Sequence, residues 1–274
     1  MSLVAAMNPF DPWLERWSLT VDGAPIRTGY ADLLPVLREG AHAMLKISRT
    51  GEERRGAALL DWYGGLGAVR VCEADGPALL MERPLGILSL EELSRTGRDD
   101  QATRILCATV HALHAWRERP LPPHLVPLDV WFRSLESTEH PSLARPRAVA
   151  RELLSDARSP IALHGDLHHG NVLHDSERGW LAIDPKGLLG ERTFDYTNIF
   201  CNPDFRSATA PTVFARRLDV VVEAADIERE RLLKWVLAYA GLSASWCMDD
   251  NDVDGVALRL AIVNIASRHL RDAH

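Results

Sequence analysis

In the first third of the chain apolar positions come in short runs punctuated by glycine and proline, and beyond it they recur at three-to-four-residue spacing. The pattern predicts strands first and helices afterwards. Trp13 to Trp17 reads as a short opening helix; Trp17 to Val21, the turn Asp22-Gly23 and Arg27 to Leu37 read as paired strands. Gly40 ends a turn into the run Ala43 to Ile47, and residues Glu52 to Tyr63, following Gly51, have helical composition. Ala68 to Cys72 and Ala78 to Met81 make a hairpin around Asp75-Gly76-Pro77. Asp99 to Arg117 then carries Ile105, Leu106, Val110, Leu113 and Trp116 on a core-facing stripe. A rigid connector, Pro120 to Pro127, leads to helices expected near Asp129 to Leu135, Arg147 to Asp156, Pro211 to Ala224, Glu228 to Ala240 and Asp252 to Leu270.

The stretch Ile161 to Asp195 departs from the helical spacing. A short apolar run breaks into the polar loop HGDLHHGN, returns at Val172 and Leu173, turns at residues 175–179, and ends its second run, Trp180 to Ile183, on Asp184. Asp166 and Asn171 therefore precede one short strand and Asp184 closes the next, which brings two carboxylates and an amide together. Those residue types suit phosphoryl transfer, where a carboxylate orients the attacking hydroxyl and cations hold the phosphates. Asp166 would accept the hydroxyl proton, and Asn171 and Asp184 offer the hard oxygen ligands that Mg²⁺ selects.

With 274 residues, 46% of them apolar, the chain is long enough for two lobes or one large domain with an ordinary core. A net charge of −7 argues against a nucleic-acid partner and allows a cationic one. Cys72, Cys107, Cys201 and Cys247 are scattered with no C-x-x-C pair, so no disulfide framework is indicated and a reducing cytoplasm fits. Asn8, Pro9, Asp11 and Pro12 interrupt the N-terminal region early, no signal peptide is expected, and nothing approaches the roughly 20 apolar residues of a membrane helix. His164, His168, His169 and His174 invite a zinc reading, but no other His-rich segment supplies a second ligand pair.

HGDLHHGN resembles the H-x-D-x-x-x-x-N catalytic loop of the aminoglycoside phosphotransferases and choline kinases, relatives of the protein kinases. IDPKGLLGERTFD is similar, within that superfamily, to the aminoglycoside/hydroxyurea phosphotransferases, whose best-known member activity is streptomycin 6-phosphorylation. The resemblance implies an α+β, protein-kinase-like fold of two lobes: a small β-rich nucleotide lobe over residues 1–84 and a larger helical lobe over 85–274 with the catalytic loop and acceptor site. It implies ATP, with GTP left open, and Mg²⁺. In MLKIS, Lys46 resembles the lysine that reaches the nucleotide phosphates; Glu53, or alternatively Glu52, would fix it; and ALLMERPLG resembles the hinge, where backbone groups near Glu82 would pair with adenine. His164 would brace the loop, and Asp195 would tie it to a helix. The G-x-G-x-x-G phosphate loop of protein kinases is absent, with only Gly23 and Gly29 nearby, so the phosphate cover is unassigned.

The acceptor is then a small hydroxylated molecule, with an aminoglycoside such as streptomycin leading and choline, homoserine, methylthioribose or another sugar metabolite as alternatives. The run CMDDNDVDG could meet a cationic acceptor through Trp246, Asp249 and Asp250. Asp252 and Asp254 read equally as the capped start of the last helix. A catalytically silent nucleotide-binding protein of the same fold and a metal-dependent hydrolase built on the His/Asp loop are the competing readings; monomer and dimer both stay open.

Overall fold

A computed structural model describes residues 8–156, 158 and 160–272 of the chain. Helix α1 (Asp11–Arg16) leads into strands β1 (Leu19–Val21), β2 (Ile26–Arg27), β3 (Ala31–Arg38) and β4 (Ala41–Ser48); helix α2 (Gly51–Tyr63) and strands β5 (Val71–Asp75) and β6 (Ala78–Glu82) follow. The six strands form an antiparallel sheet ordered β1-β3-β4-β6-β5, with β2 added on β3. Strand alternation sorts its two faces. Ala43, Leu45, Ile47, Ala78 and Leu80 pack with Phe10, Leu34 and Val36 into a small core closed by Trp13, Leu14 and Trp17. Met44 and Lys46, one residue out of step, point to the opposite face, and Lys46 sits opposite Leu79 in the register.

Two expected strands are cut differently. The run from Arg27 is broken at Gly29 because Thr28 Oγ1 accepts the Ala31 N–H at 3.0 Å and closes a turn. Ala68 and Val69 leave the sheet to pair with Ala182, whose carbonyl takes the Val69 N–H at 3.1 Å, so β5 begins only at Val71.

The rest of the chain is mostly helical: α3 (Leu90–Arg95), α4 (Asp99–Leu113), α5 (Leu128–Trp131), α6 (Arg133–Ser137), α7 (Ala144–Ser155), α8 (Phe205–Thr209), α9 (Pro211–Ala225), α10 (Arg229–Asp249) and α11 (Val253–Asp272). Sheet and helices together give the expected α+β class. Helix α3 went unanticipated. Helix α4 stops at Leu113, short of the expected Arg117, because Arg117 Nη1 turns back onto the Leu113 and Ala115 carbonyls at 2.8 and 2.7 Å. Trp116, expected on the core stripe, is consequently 83% exposed. Gly241, at which the pattern ends a helix, lies inside α10; a Cβ there would stand 2.2 Å from Pro146 of α7, so its absence lets the two helices close. Around Trp235 of α10, buried against the rings of Phe132 and Phe194 at 6.1 and 5.7 Å, lies the centre of the large core.

Short strands carry the polar loops between these helices. β9 (Val172–Asp175) and β10 (Gly179–Ala182) form a hairpin, and β11 (Leu188–Gly190) lies between β7 (Val126–Pro127) and β8 (Ile161–Leu163). The segment Arg192–Cys201, wound as a 3₁₀ helix, is anchored by Arg217. That fully buried guanidinium bonds both Asp99 oxygens, at 2.7 and 2.9 Å, and the Ile199 carbonyl at 2.8 Å. Among the described residues no helix is long and apolar enough to cross a membrane.

Candidate active site

The polar loop is pinned before its chemistry begins. Asp195 accepts the backbone N–H groups of His164 at 2.9 Å and Gly165 at 2.7 Å, and lies 2.8 Å from His114 Nε2. Burial pushes its carboxyl up, yet the His114 contact and these N–H groups outweigh it and hold the carboxyl below the ordinary range. His164 Nε2 lies 2.9 Å from the Ile183 carbonyl, and His164 Nδ1 accepts the Asp166 N–H at 3.2 Å. His164 thus binds the loop to the end of β10, and Asp195 binds it to α4.

Asp166 emerges from this frame between two cavities. Asn198 Nδ2 donates to its Oδ1 at 2.7 Å, and Asn171 Nδ2 donates to its carbonyl at 2.9 Å and to Oδ2 at 3.4 Å. Burial, opposed by the Lys186 ammonium and reinforced by the charges of Asp184 and Glu52, pushes the Asp166 carboxyl up to about 7. The smaller cavity, about 410 Å³, has apolar walls from Leu60, Leu79, Met81 and Ile183 and a polar end with Lys46, Asn171 and Asp184. The larger, about 750 Å³, runs from Asp166 to Trp246, Asp249 and Asp250 at the end of α10.

Lys46 forms ion pairs with Glu53 and Asp184. Glu53 rather than Glu52 takes that place because Thr50 caps α2, its Oγ1 accepting the Glu53 N–H at 3.3 Å and so setting the helix register. Glu52 faces elsewhere, with Oε1 3.2 Å from Lys186 Nζ. Burial disfavours the Asp184 carboxylate, but Lys46 and then Lys186 outweigh it and hold its carboxyl below the ordinary range. For Lys186, burial is likewise overcome by Asp166, Asp184 and Glu52, and its ammonium is pushed up to about 12.

The larger cavity holds the acceptor-side residues expected from CMDDNDVDG. Trp246 stands edge-on to Trp131 at 5.4 Å, and Asp249 Oδ2 accepts from Ser134 Oγ at 3.3 Å. Asp252 lies outside the cavity lining and caps α11, taking the Gly255 N–H at 2.9 Å. Glu82 is the residue the structure does not bring in. It is still paired within β6, its N–H donates to the Arg70 carbonyl at 3.0 Å, and its carboxylate pairs with Arg178. It lines neither cavity.

Pattern reading passed over Lys186, Asn198, Arg55 and Tyr30, all in cavity walls. Lys186 sits inside the phrase IDPKG, where a lysine beside the proposed metal ligand was a signal; Asn198 gave none. The turn Thr28 to Ala31 places Tyr30 at both cavities and Thr28 and Ala31 at the smaller one. The histidines do not assemble into a centre. His169 is buried with both ring nitrogens unpartnered, burial pushes His168 down to about 4, and among the described residues no group of three or more His, Cys, Asp or Glu side chains could hold a metal ion. Asn171 and Asp184 do fit Mg²⁺ as two oxygen donors beside Lys46 at the cavity's polar end, since that ion draws its remaining ligands from water and phosphate.

Comparison with known proteins shows the family and the fold. The sequence model of the aminoglycoside/hydroxyurea antibiotic resistance kinases matches residues 16–251. A streptomycin 3''-kinase of Klebsiella pneumoniae is 48% identical over 268 residues, covering 94% of this chain and 100% of the relative. A streptomycin 6-kinase of Streptomyces griseus is 33% identical over 258 residues, covering 86% of this chain and 81% of the relative. Among solved structures, an aminoglycoside phosphotransferase in ternary complex with ADP and hygromycin B superposes with a TM-score of 0.68 at 14% identity, over 94% of this chain and 98% of that one. The fold is protein-kinase-like.

Proposed function

The chain belongs to the aminoglycoside/hydroxyurea antibiotic resistance kinase family and is a phosphotransferase with an alcohol acceptor, and from that premise we propose that it transfers the γ-phosphoryl group of ATP to a hydroxyl of streptomycin. The 3''-hydroxyl is favoured over the 6-hydroxyl because the 3''-kinase is the more similar of the two relatives, at 48% against 33% identity. One observation carries the mechanism: Asp166 lines both cavities, so a single carboxylate faces the nucleotide side and the acceptor side.

The smaller cavity takes the nucleotide. Its apolar walls sandwich the base, Lys46 meets the phosphates, and the turn from Thr28 to Ala31 covers them. With the Glu82 N–H already donated to Arg70, no backbone pairing at Glu82 enters this reading. Asn171 and Asp184 would hold Mg²⁺, which when bound neutralises phosphate charge. Asn198 and Asn171 fix the Asp166 carboxylate by hydrogen bonds, and its Oδ2 takes the acceptor's hydroxyl proton. A base poised near 7 is matched to that task at neutral pH. Trp246, Asp249 and Asp250 supply an aromatic face and two carboxylates for the guanidinium and ammonium groups of the acceptor.

The test is ADP formation from Mg·ATP and streptomycin by the wild type and by Asp166→Asn, with NMR of the product to place the phosphate. Asp166→Asn removes the base and keeps the metal ligands, so turnover should fall by about 10³-fold or more while ADP affinity is kept. Near-normal turnover in that variant would defeat the assignment.

A further inference from the structure

Four residues line both cavities: Tyr30, Asp166, His168 and Lys186. Of these only Lys186 is a permanent cation. Its backbone is fixed from two sides. The Lys186 N–H donates to the His164 carbonyl at 2.7 Å, and a Cβ on neighbouring Gly187 would come within 3.3 Å of the Arg55 carbonyl of α2. Nζ lies 3.2 Å from Glu52 Oε1 and 3.8 Å from Asp166 Oδ2. The second separation is an ion pair without a hydrogen bond, so the three N–H groups of the ammonium are not all committed.

We propose that Lys186 is a second catalytic lysine, which holds the transferred phosphoryl group where the two cavities meet, and that Glu52 is the residue that positions it. This rests on the reading of Asp166 as base in ATP-dependent transfer. As the acceptor oxygen bonds to phosphorus, the bond from phosphorus to the ADP oxygen breaks and its electron pair stays on ADP; the hydroxyl proton passes to Asp166. Negative charge spreads meanwhile over the three equatorial oxygens. Those oxygens pass the junction, and Lys186 is the cation fixed there. Lys46 lines only the smaller cavity, paired with Glu53 and Asp184, and serves the nucleotide side. Adjacent positions on a helix point about 100° apart, so Glu52 and Glu53 each carry one lysine to a different side of the phosphates.

The experiment measures kcat, KM for ATP and streptomycin, ADP affinity and Tm for the full chain and for Lys186→Met, Lys186→Gln and Glu52→Gln. Losing one preorganised charge aimed at the transition state should lower kcat in Lys186→Met by about 10²–10³-fold, with ATP KM and ADP affinity changed by less than about threefold. Glu52→Gln should cost about tenfold in kcat and add nothing in the Lys186→Met background, because it acts through that lysine. Should Lys186→Met not fold, Lys186→Gln replaces it. A folded Lys186 variant with kcat within about threefold of wild type overturns the proposal, since a merely structural ion pair would move Tm and leave kcat. Wild-type protein that forms no ADP with any aminoglycoside overturns the underlying reading and the proposal together. An active wild type with an unaffected variant overturns the proposal alone.

Discussion

Gly56→Ala is the substitution whose local and tertiary effects oppose each other most directly. Gly56 lies in the second turn of α2, where alanine ordinarily stabilises a helix by about 0.5–1 kcal/mol. Here the added Cβ would stand 2.1 Å from the Pro185 carbonyl oxygen, against ordinary contact beginning at 3.4 Å. The obstacle is backbone, so helix and loop must part by roughly 1 Å, an overpacking strain that costs about 3 kcal/mol at the upper end of its usual range. Net of the helical gain, a loss of about 2 kcal/mol is expected, or about 4–8 °C in Tm for a chain of this size. The same movement separates Glu53 on α2 from Lys46, and Asp184 from both. A displacement of about 1 Å at reacting groups is worth about 10²-fold, so kcat should fall by about that factor in protein that is still folded. Gly51→Ala, at the start of the same helix with only Arg54 Nη2 at 3.7 Å, is the control and should leave kcat unchanged with Tm equal to wild type or slightly higher. Thermal unfolding and ADP release at saturating ATP make the measurement. Higher Tm with unaltered kcat in Gly56→Ala would refute the argument that α2 and the Asp184-Pro185 segment are in contact during turnover.

Burial holds the Asp166 carboxyl up at about 7, and only its ionised form accepts a proton; kcat/KM for the acceptor should therefore climb about tenfold per pH unit below that value and level off above it, and a profile flat between about pH 5.5 and 8 would contradict the role. The double change Asp249→Asn with Asp250→Asn should raise KM for streptomycin about tenfold, more at low salt than at high, leave KM for ATP within about twofold, and raise Tm slightly; an unchanged acceptor KM removes the end of α10 from the site.

How much of this was legible in sequence follows from how far apart the partners lie. His164, Asp166 and Asn171 fall within eight residues, and their spacing alone described one loop. Lys46 stood out as a charge in an apolar run, and strand alternation places it on the cavity face. The choice between Glu52 and Glu53 was encoded as well, in the T-x-x-E cap that begins at Thr50. Lys186, Asn198 and Arg55 were not legible in the same way, because each acquires its place from a segment far along the chain. Asn198 reaches Asp166 from the 3₁₀ segment, which Arg217 of α9 ties to α4. Trp116 failed as a core residue for the converse reason: periodicity continued, but the guanidinium of Arg117 had already closed the helix. Gly56 lies inside an expected helix and Gly241 just past the expected end of another, and each marks a place where another backbone or a proline presses too close for a Cβ. Periodicity reports what a segment buries, and it is silent about which distant segment it meets.

The acidic end of the larger cavity is informative because folding gives little reason for it. Asp249 and Asp250 are the last residue and the C-cap of α10, and the Trp246 carbonyl is there to accept the Asp250 N–H at 3.0 Å. A helix C-terminus already carries partial negative charge, so carboxylates there cost a few tenths of a kcal/mol each where cations would stabilise. Ser134 gives Asp249 one hydrogen bond, which does not neutralise it. Asp252 contrasts with this pair: capping the start of α11, it sits where a carboxylate stabilises its own helix. Within a span of four residues, two acids oppose the helix field and one agrees with it. The opposing pair face the cavity beside Trp246, whereas the agreeing one does not. Carboxylates placed against their own helix dipole and aimed into an open cavity are best accounted for by a cation that arrives from solution. That is why neutralising them should improve the fold and impair the acceptor site together.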